Sequence, residues 1–470
     1  MMRSSKRGAV TLPPAPAVSL FTTRYRDRVA CAVLPEDPTD PARTRWSLPV
    51  AALLAAALVT AALVALLWPR GDHSPLDVIW AEDGAVFLSQ ALTTPLLHAL
   101  FLPYGGYMQA GPRLIAAVAA ALPLNFAAAW LALATALVRV GVAALVYRAL
   151  AGHLPSRWVR LGLAAAVVLL PTANFEVLDN TANMHWLLFY AVLCVLLWRP
   201  VTRADHLIGG LVAAVGVASE PLALALLPVA VLGAWALPRR MYATVIGFAA
   251  GAVAQLTAMS SDHRATMRVA PIGQAVGAWL VRGPLTTLVG TTQATHLYQS
   301  HGYGPAIAAT LVIVTAAVVS VRAGAPTRWL AVIALPLSIV IFAVIVHYDW
   351  IPQLAPSTPG VVFPGDRYNV LPDLLLLAVL AAGLQGAWST MRGRFGRVVA
   401  SAASACVLAA FTTGVVTTFA LGSPRTQGIG WPHAFRAAQR ECLLTGQGVS
   451  VPIQPPGWRV DLPCTRNRLP

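Results

Sequence analysis

Ser47-Leu-Pro-Val-Ala-Ala-Leu-Leu-Ala-Ala-Ala-Leu-Val-Thr-Ala-Ala-Leu-Val-Ala-Leu-Leu-Trp68 carries no charge, and only Ser47 and Thr60 bear a hydroxyl. As a helix, such a run crosses a hydrocarbon layer of about 30 Å. Runs of this kind recur through the 470 residues, of which 57% are hydrophobic and 11% charged. A soluble domain carries about 25% charged residues. The composition therefore predicts an all-α polytopic membrane protein. A β-barrel would need short alternating strands, and the sequence has none. Met1–Trp46 is polar and the run that follows it is full length, so the run reads as a signal anchor rather than a cleaved leader.

Working outward, the apolar runs predict about eleven transmembrane helices: 47–68, 126–150, 158–172, 185–199, 206–219, 221–237, 241–259, 305–321, 329–346, 370–388 and 398–420. The runs at 158–172 and 206–219 are short and give the weakest case for a full span. Residues 69–125 form an outer loop, in which Gln109–Arg113 and Leu114–Pro123 read as interfacial helices. The second stretch is too short to span and carries Pro112 and Pro123 at its ends. Residues 260–304 and 347–368 read as further outer loops.

Charge supports this order. The net charge is +15, yet the basic residues concentrate in the N-terminal tail and at alternate loops, as topology requires and nucleic-acid binding does not. The assignment puts 20 of the 33 Lys+Arg inside but only five of the 18 acids: Asp27, Glu36, Asp37, Asp40 and Asp205. Carboxylates contribute little to topology, so the acidic bias of the other face calls for another cause. Residues 1–46, rich in Pro and Arg, are expected to be a disordered cytoplasmic tail, 47–420 the transmembrane domain, and 421–470 an external C-terminal tail. That puts the protein in the plasma membrane with its C-terminus outside. In an oxidising compartment Cys442 and Cys464 of the tail are expected to pair. The tail then reads as a short helix and a strand pinned by one disulfide.

The loop after the first run reads Asp77-Val-Ile-Trp-Ala-Glu-Asp-Gly84, followed by the amphipathic Ala85–Leu92. Three acids beside a membrane need a structural partner or a task. Asp83 stands where an N-cap stands, with Gly84 and an apolar run behind it, so capping its own interfacial helix is one reading. The other is a base: transfer of a sugar from a lipid phosphate to a hydroxyl needs a carboxylate within hydrogen-bond reach of the acceptor oxygen.

Trp80-Ala-Glu-Asp-Gly-Ala-Val-Phe87, placed after the first span, resembles the acidic motif of the GT-C superfamily of multispanning glycosyltransferases. The resemblance implies a polyprenyl-phosphate-linked sugar as donor, a cell-envelope glycan or lipid as acceptor, an outward-facing site, and Asp83 or Glu82 as base. The order here is Glu-Asp rather than Asp-Glu or Asp-X-Asp, which leaves open which of the two acts.

A donor phosphate needs a cation, and Arg offers a planar fork. Arg367 in Gly365-Asp-Arg-Tyr-Asn369 is the first candidate, against pairing with Asp366 or Asp373. Arg113, beside Pro112, is the second, against snorkelling. Glu176, Asp179, Asn183, His185 and Trp186 form a third cluster, suited to holding an acceptor or to building a loop. They lack a recognised metal-ligand spacing, and no cofactor is expected. Arg139, in mid-run, either pairs with Glu220 or marks a shifted helix. A transporter or lipid flippase, which would need midplane charges and internal repeats, and a non-catalytic envelope-assembly protein are the alternatives.

Overall fold

The computed structural model describes residues 17–36, 48–174, 176–261, 270–348, 354, 365–420 and 429–464. It is a helical bundle, and the apolar runs are its helices: α2 (Leu48–Leu67), α6 (Ala127–Ala149), α7 (Arg157–Leu169), α8 (His185–Leu197), α9 (Arg203–Val217), α10 (Leu227–Ala236), α11 (Pro238–Ser261), α14 (Gly304–Ala323), α15 (Thr327–Tyr348), α16 (Arg367–Thr390) and α17 (Gly393–Ala420). Six helical stretches among the described residues are long and apolar enough to cross a membrane. The protein is a multi-pass membrane protein.

Two helices form the axis. Every residue of α8 is buried, as is 89% of the most apolar stretch of α16. A helix apolar on all sides belongs in such a position. At the periphery, α17 buries only 11% of its most apolar stretch and leaves Val398, Leu408 and Val416 bare. With no hydrophobic drive between helices in lipid, small residues bring them together. The Gly247-Phe-Ala-Ala-Gly251 stretch of α11 does this against α9: a Cβ at Gly247 would lie 2.1 Å from the Gly210 carbonyl oxygen.

Side-chain contacts define two ends of the bundle. At the basic end, the buried His153 after α6 meets the carbonyls of Leu197 and Pro326, and the Ser156 amide donates to Gln385. Arg148 pairs with Asp205 and Arg199 with Glu36 at this end. At the opposite end lie the connections after α2, α7 and α9, the end of α15 and the start of α16, together with the C-terminal unit.

That unit is α18 (Trp431–Thr445) and a hairpin of two antiparallel strands, β1 (Val449–Pro452) and β2 (Arg459–Leu462), rather than one strand. Cys442 and Cys464 are disulfide-bonded, their Cα atoms 5.7 Å apart. The unit shares a core with the segment after α2 and the start of α6: Trp431, Phe435, Val451, Ile453 and Val460 pack with Ile79, Leu88, Leu124 and Leu131. The Trp431 indole N–H donates to the Leu124 carbonyl at 2.7 Å.

The two interfacial helices expected at Gln109–Arg113 and Leu114–Pro123 are one helix, α5 (Ala110–Ala121), and two short helices that were not expected, α3 (Ser89–Thr93) and α4 (Leu96–Phe101), precede it. Two further expectations need correction. The N-terminal tail, expected to be disordered, contains α1 (Ala17–Val33), and Val33 and Leu34 bury against Met241 of α11. Its apolar residues were too few to signal a core of their own, and the surface they use is supplied by the bundle. Residues 1–16 and 37–47 lie outside the described residues. The stretch 260–304, expected to be a loop, forms α12 (Ile272–Leu280), a π-turn over Val281–Leu285 and α13 (Thr286–His301); 262–269 lie outside the described residues. Its polarity misled because Arg282, Thr286, Thr287 and Thr291 face the protein interior, where all are buried.

Candidate functional site

The segment Trp80-Ala-Glu-Asp-Gly84 is held from two sides. On one side the C-terminal hairpin adds to it as a strand would: the Ala81 amide donates to the Gln454 carbonyl and the Gln454 amide to the Ile79 carbonyl. Gly84 is required here. A Cβ would meet Ile453 Cδ1 at 2.5 Å and Val460 Cγ2 at 2.7 Å. On the other side Asp83, fully buried, accepts from the backbone amides of Thr181 at 2.9 Å and Ala182 at 2.7 Å. These amides open the turn Ala182–Met184 that runs into α8, so Asp83 satisfies orphan donors at that helix start. Asp83 is thus a cap, but of a distant helix rather than of its own. Ala81, at a φ of 42°, turns the chain sharply just before the two acids. Such a conformation costs a non-glycine residue roughly 1–3 kcal/mol and persists only where its surroundings hold it.

Glu82, half-buried, lines a cavity of about 260 Å³. The cavity lies at the end of the bundle opposite the basic one. Its walls come from Tyr104, Tyr107 and Gln109 between α4 and α5, Asn183, His185 and Trp186 at the start of α8, and Glu220 after α9. Val344 and Ile345 of α15 and Arg367 and Tyr368 of α16 complete it. Each helix enters at the terminus that the alternating direction of the chain predicts.

Four aromatic rings stand around this space. Tyr104 and Tyr107 are delivered by Pro103-Tyr-Gly-Gly-Tyr107, where Gly105 and Gly106 have φ of 65° and 83° and the Tyr104 amide donates to the Tyr107 carbonyl. Positive φ at both central residues is the pattern of a tight type I′ turn, which two glycines adopt freely. The Tyr107 hydroxyl accepts from Gln109 Nε2 at 3.0 Å. Trp186 packs edge-to-face on Tyr368, centroids 6.2 Å apart, and stacks at a tilt on His185 at 4.2 Å. Burial, then the nearby Glu82 carboxylate, pushes the Tyr104 phenol above its ordinary range, with Arg367 acting against them.

The charged groups divide into two sets. Arg367 donates to Glu176 at 3.4 Å and to the Tyr368 hydroxyl at 3.1 Å. Its partner is therefore Glu176 rather than Asp366 or Asp373. On the other side His185 Nδ1 contacts the Glu220 carboxylate, and both side chains are buried. The second Glu220 oxygen accepts from the Leu222 amide at 2.8 Å. A carboxylate fixed on one imidazole nitrogen sets the tautomer and orients the ring.

The structure therefore brings together Glu82, Arg367, Asn183, His185 and Trp186, with Glu176 behind Arg367. It does not bring Asp83, Asp179 or Arg113 to the cavity wall. Asp179 is buried in a turn at a φ of 50°, a conformation Asp tolerates. Arg113 is buried, donating to Gln90 and to the Ala99 carbonyl at 2.8 Å each, with its guanidinium 5.4 Å from the Phe87 ring centre. Expected either to meet a donor phosphate or to snorkel, Arg113 instead fastens α5 to α3 and α4. Arg139 does not pair with Glu220. It donates to the carbonyls of Val167, Ala173 and Leu170 at 3.0, 3.1 and 3.4 Å, where α7 ends. A cation at the carbonyl end of a helix is stabilising.

Tyr104, Tyr107, Gln109, Glu220 and Tyr368 were not singled out as site residues from sequence. The paired glycines of Tyr-Gly-Gly-Tyr were the signal for two of them. Glu220 had one as well, an acid within an apolar region before a proline. No family model, no curated protein and no solved structure matches the chain.

Proposed function

We propose that the protein is a membrane glycosyltransferase of GT-C-like layout, moving a sugar from a polyprenyl-phosphate donor to a cell-envelope acceptor. In this reading all eleven apolar helices cross the plasma membrane. The arginine-rich end is cytoplasmic, by the positive-inside rule, and the cavity opens outside. One observation carries the reading: Glu82 and Arg367 line the same cavity, between aromatic rings. Sugars offer apolar faces to such rings, and a phosphate needs the cation.

The acceptor hydroxyl passes its proton to the Glu82 carboxylate as its oxygen bonds to the anomeric carbon. The bond from that carbon to the phosphate oxygen breaks. The polyprenyl phosphate leaves with the added negative charge beside the Arg367 guanidinium, which Glu176 and the Tyr368 hydroxyl hold in orientation. Val344 and Ile345 offer the apolar wall on which the first prenyl unit lies. Asp83 is unsuited to the base role, since both its oxygens already accept backbone amides. Arg139, the midplane charge on which a transporter reading rests, has the contacts of a helix stop and gives that reading no support.

The test is transfer of label from a polyprenyl-phosphate sugar in membranes containing the wild type or Glu82→Gln. The expected result is loss of transfer in the variant at unchanged protein level. Undiminished transfer would remove Glu82 as the base.

A further inference from the structure

A second cavity, of about 440 Å³, lies at the basic end. Three connections wall it: Pro155 before α7, Ala323–Thr327 between α14 and α15, and Gln385, Ser389, Thr390 and Arg392 at the end of α16. We propose that it binds the phosphate headgroup of an anionic glycerophospholipid. The inference is independent of the glycosyltransferase reading.

Charge is the first argument. Residues 150–159, 320–330 and 385–400 contain no Asp or Glu, yet they carry Arg157, Arg322, Arg328, Arg392, Arg394 and Arg397. Among the described residues the other acids at this end are Asp27, Glu36 and Asp205, and the last two pair with Arg199 and Arg148. Arg157 and Arg328 lie over the rings of Trp158 and Trp329, at 5.0 and 5.3 Å, contacts that leave guanidinium N–H groups able to donate. An uncompensated cluster of this kind around a concave site attracts an anion.

Donor placement is the second. Arg392 lines the cavity itself. The Gln385 carbonyl oxygen is committed to the Ser156 amide at 2.9 Å, which turns its NH₂ into the donor available to the cavity. The Thr327 hydroxyl donates to the carbonyls of Ser320 and Gly324 and so stiffens the α14–α15 wall.

The rim decides between a lipid and a soluble phosphate. Trp158, Trp388 and Phe395 are exposed at 68%, 46% and 83%, on two of the three connections that carry the arginines. Exposed indoles beside arginines mark the level of the headgroups, and basic pockets between membrane helices on this side take anionic headgroups. A cavity of this volume admits a phosphate with its glycerol, while the acyl chains lie along the apolar outside of the helices.

The test uses the full chain, delipidated in detergent, with bound lipid counted by native mass spectrometry. Phosphatidylglycerol, phosphatidylcholine and free glycerol phosphate are titrated separately. The expected result is a saturable phosphatidylglycerol adduct, preferred roughly tenfold over phosphatidylcholine. Arg392→Gln should weaken it roughly fivefold, the effect of one guanidinium near an anionic headgroup. Ser389→Trp, which fills the cavity and leaves every charge in place, should remove it. Arg239→Gln, an exposed arginine at the same end but outside the cavity, should leave it intact. Equal binding of the two lipids, equal weakening by Arg239→Gln, persistence in Ser389→Trp, or displacement by glycerol phosphate at equal concentration would each overturn the proposal.

Discussion

Asp83→Asn and Glu82→Gln should separate structure from chemistry on neighbouring residues. Asp83 accepts two backbone amides from a helix start, at 2.9 and 2.7 Å, with no exposure to solvent. Hydrogen bonds to a charged group contribute roughly 1.5–3 kcal/mol each. Asn keeps one acceptor but turns its NH₂ against the second amide, so one bond is lost and one buried donor is left facing another. The charge that opposes the helix dipole is lost too, at roughly 0.3–1 kcal/mol. The expected destabilisation is about 2–4 kcal/mol, near the top of what single substitutions cause. It should appear as a fall in the thermal midpoint of the detergent-purified protein, and in faster proteolysis around the start of α8. Glu82→Gln keeps shape and volume in a half-buried position, so the midpoint should hold while transfer is lost. Two outcomes would refute this reasoning. One is an Asp83→Asn protein with an unchanged midpoint and no transfer, which would make Asp83 the reacting group. The other is a Glu82→Gln protein destabilised as much as Asp83→Asn.

The C-terminal unit should control the same site from its other face. Opening the Cys442–Cys464 bond, which closes a span of 22 residues, should release about 3 kcal/mol of constraint by the chain-entropy relation. Reductant or Cys442→Ser should therefore lower transfer and expose α18 to protease, with the bundle helices still protected. Gly84→Val, whose side chain would occupy the space of Ile453 and Val460, should cost roughly 1–3 kcal/mol and give the same protease pattern. Arg139→Met should lower the thermal midpoint through three orphaned carbonyls at the end of α7, and Arg139→Lys should recover only part of it, because one ammonium cannot span the three. Asp366, just before α16, is pushed up to about 7 by burial, an effect Arg282 opposes and Glu176 reinforces. A folded-state value raised above the unfolded one means the native state holds the extra proton. The associated stability is full below about pH 4 and is lost as the pH rises through about 7. The wild type should melt lower at pH 8 than at pH 6, and Asp366→Asn should flatten that difference.

The positions of the apolar helices could be read because lipid makes a long apolar run decisive on its own. Leu48–Leu67 and Ala127–Ala149 differ from their expected spans by one residue at each end. Where a segment's environment is protein rather than lipid, that rule stops working. Thr286 and Thr287 look like loop residues until Asp373 of α16 accepts both hydroxyls, at 3.1 and 2.8 Å. The short α1 likewise has no meaning without the surface at Met241 that it covers.

The choice between Glu82 and Asp83 was closed to sequence for a related reason. Both are acids, adjacent, in one turn, and local rules give Asp83 the cap and either of them the chemistry. What separates them is non-local. The amides that claim Asp83 come from Thr181 and Ala182, and the backbone that fixes the turn comes from Gln454 near the other terminus. Two successive residues in a turn point different ways, so once Asp83 is drawn to the start of α8, Glu82 is left to face the space above it. His185 and Trp186 stand in that space because the same capped turn begins the helix that carries them. The buried acid and the cavity-lining acid are thus parts of one device: the first sets where α8 begins, and that start decides what the second one faces.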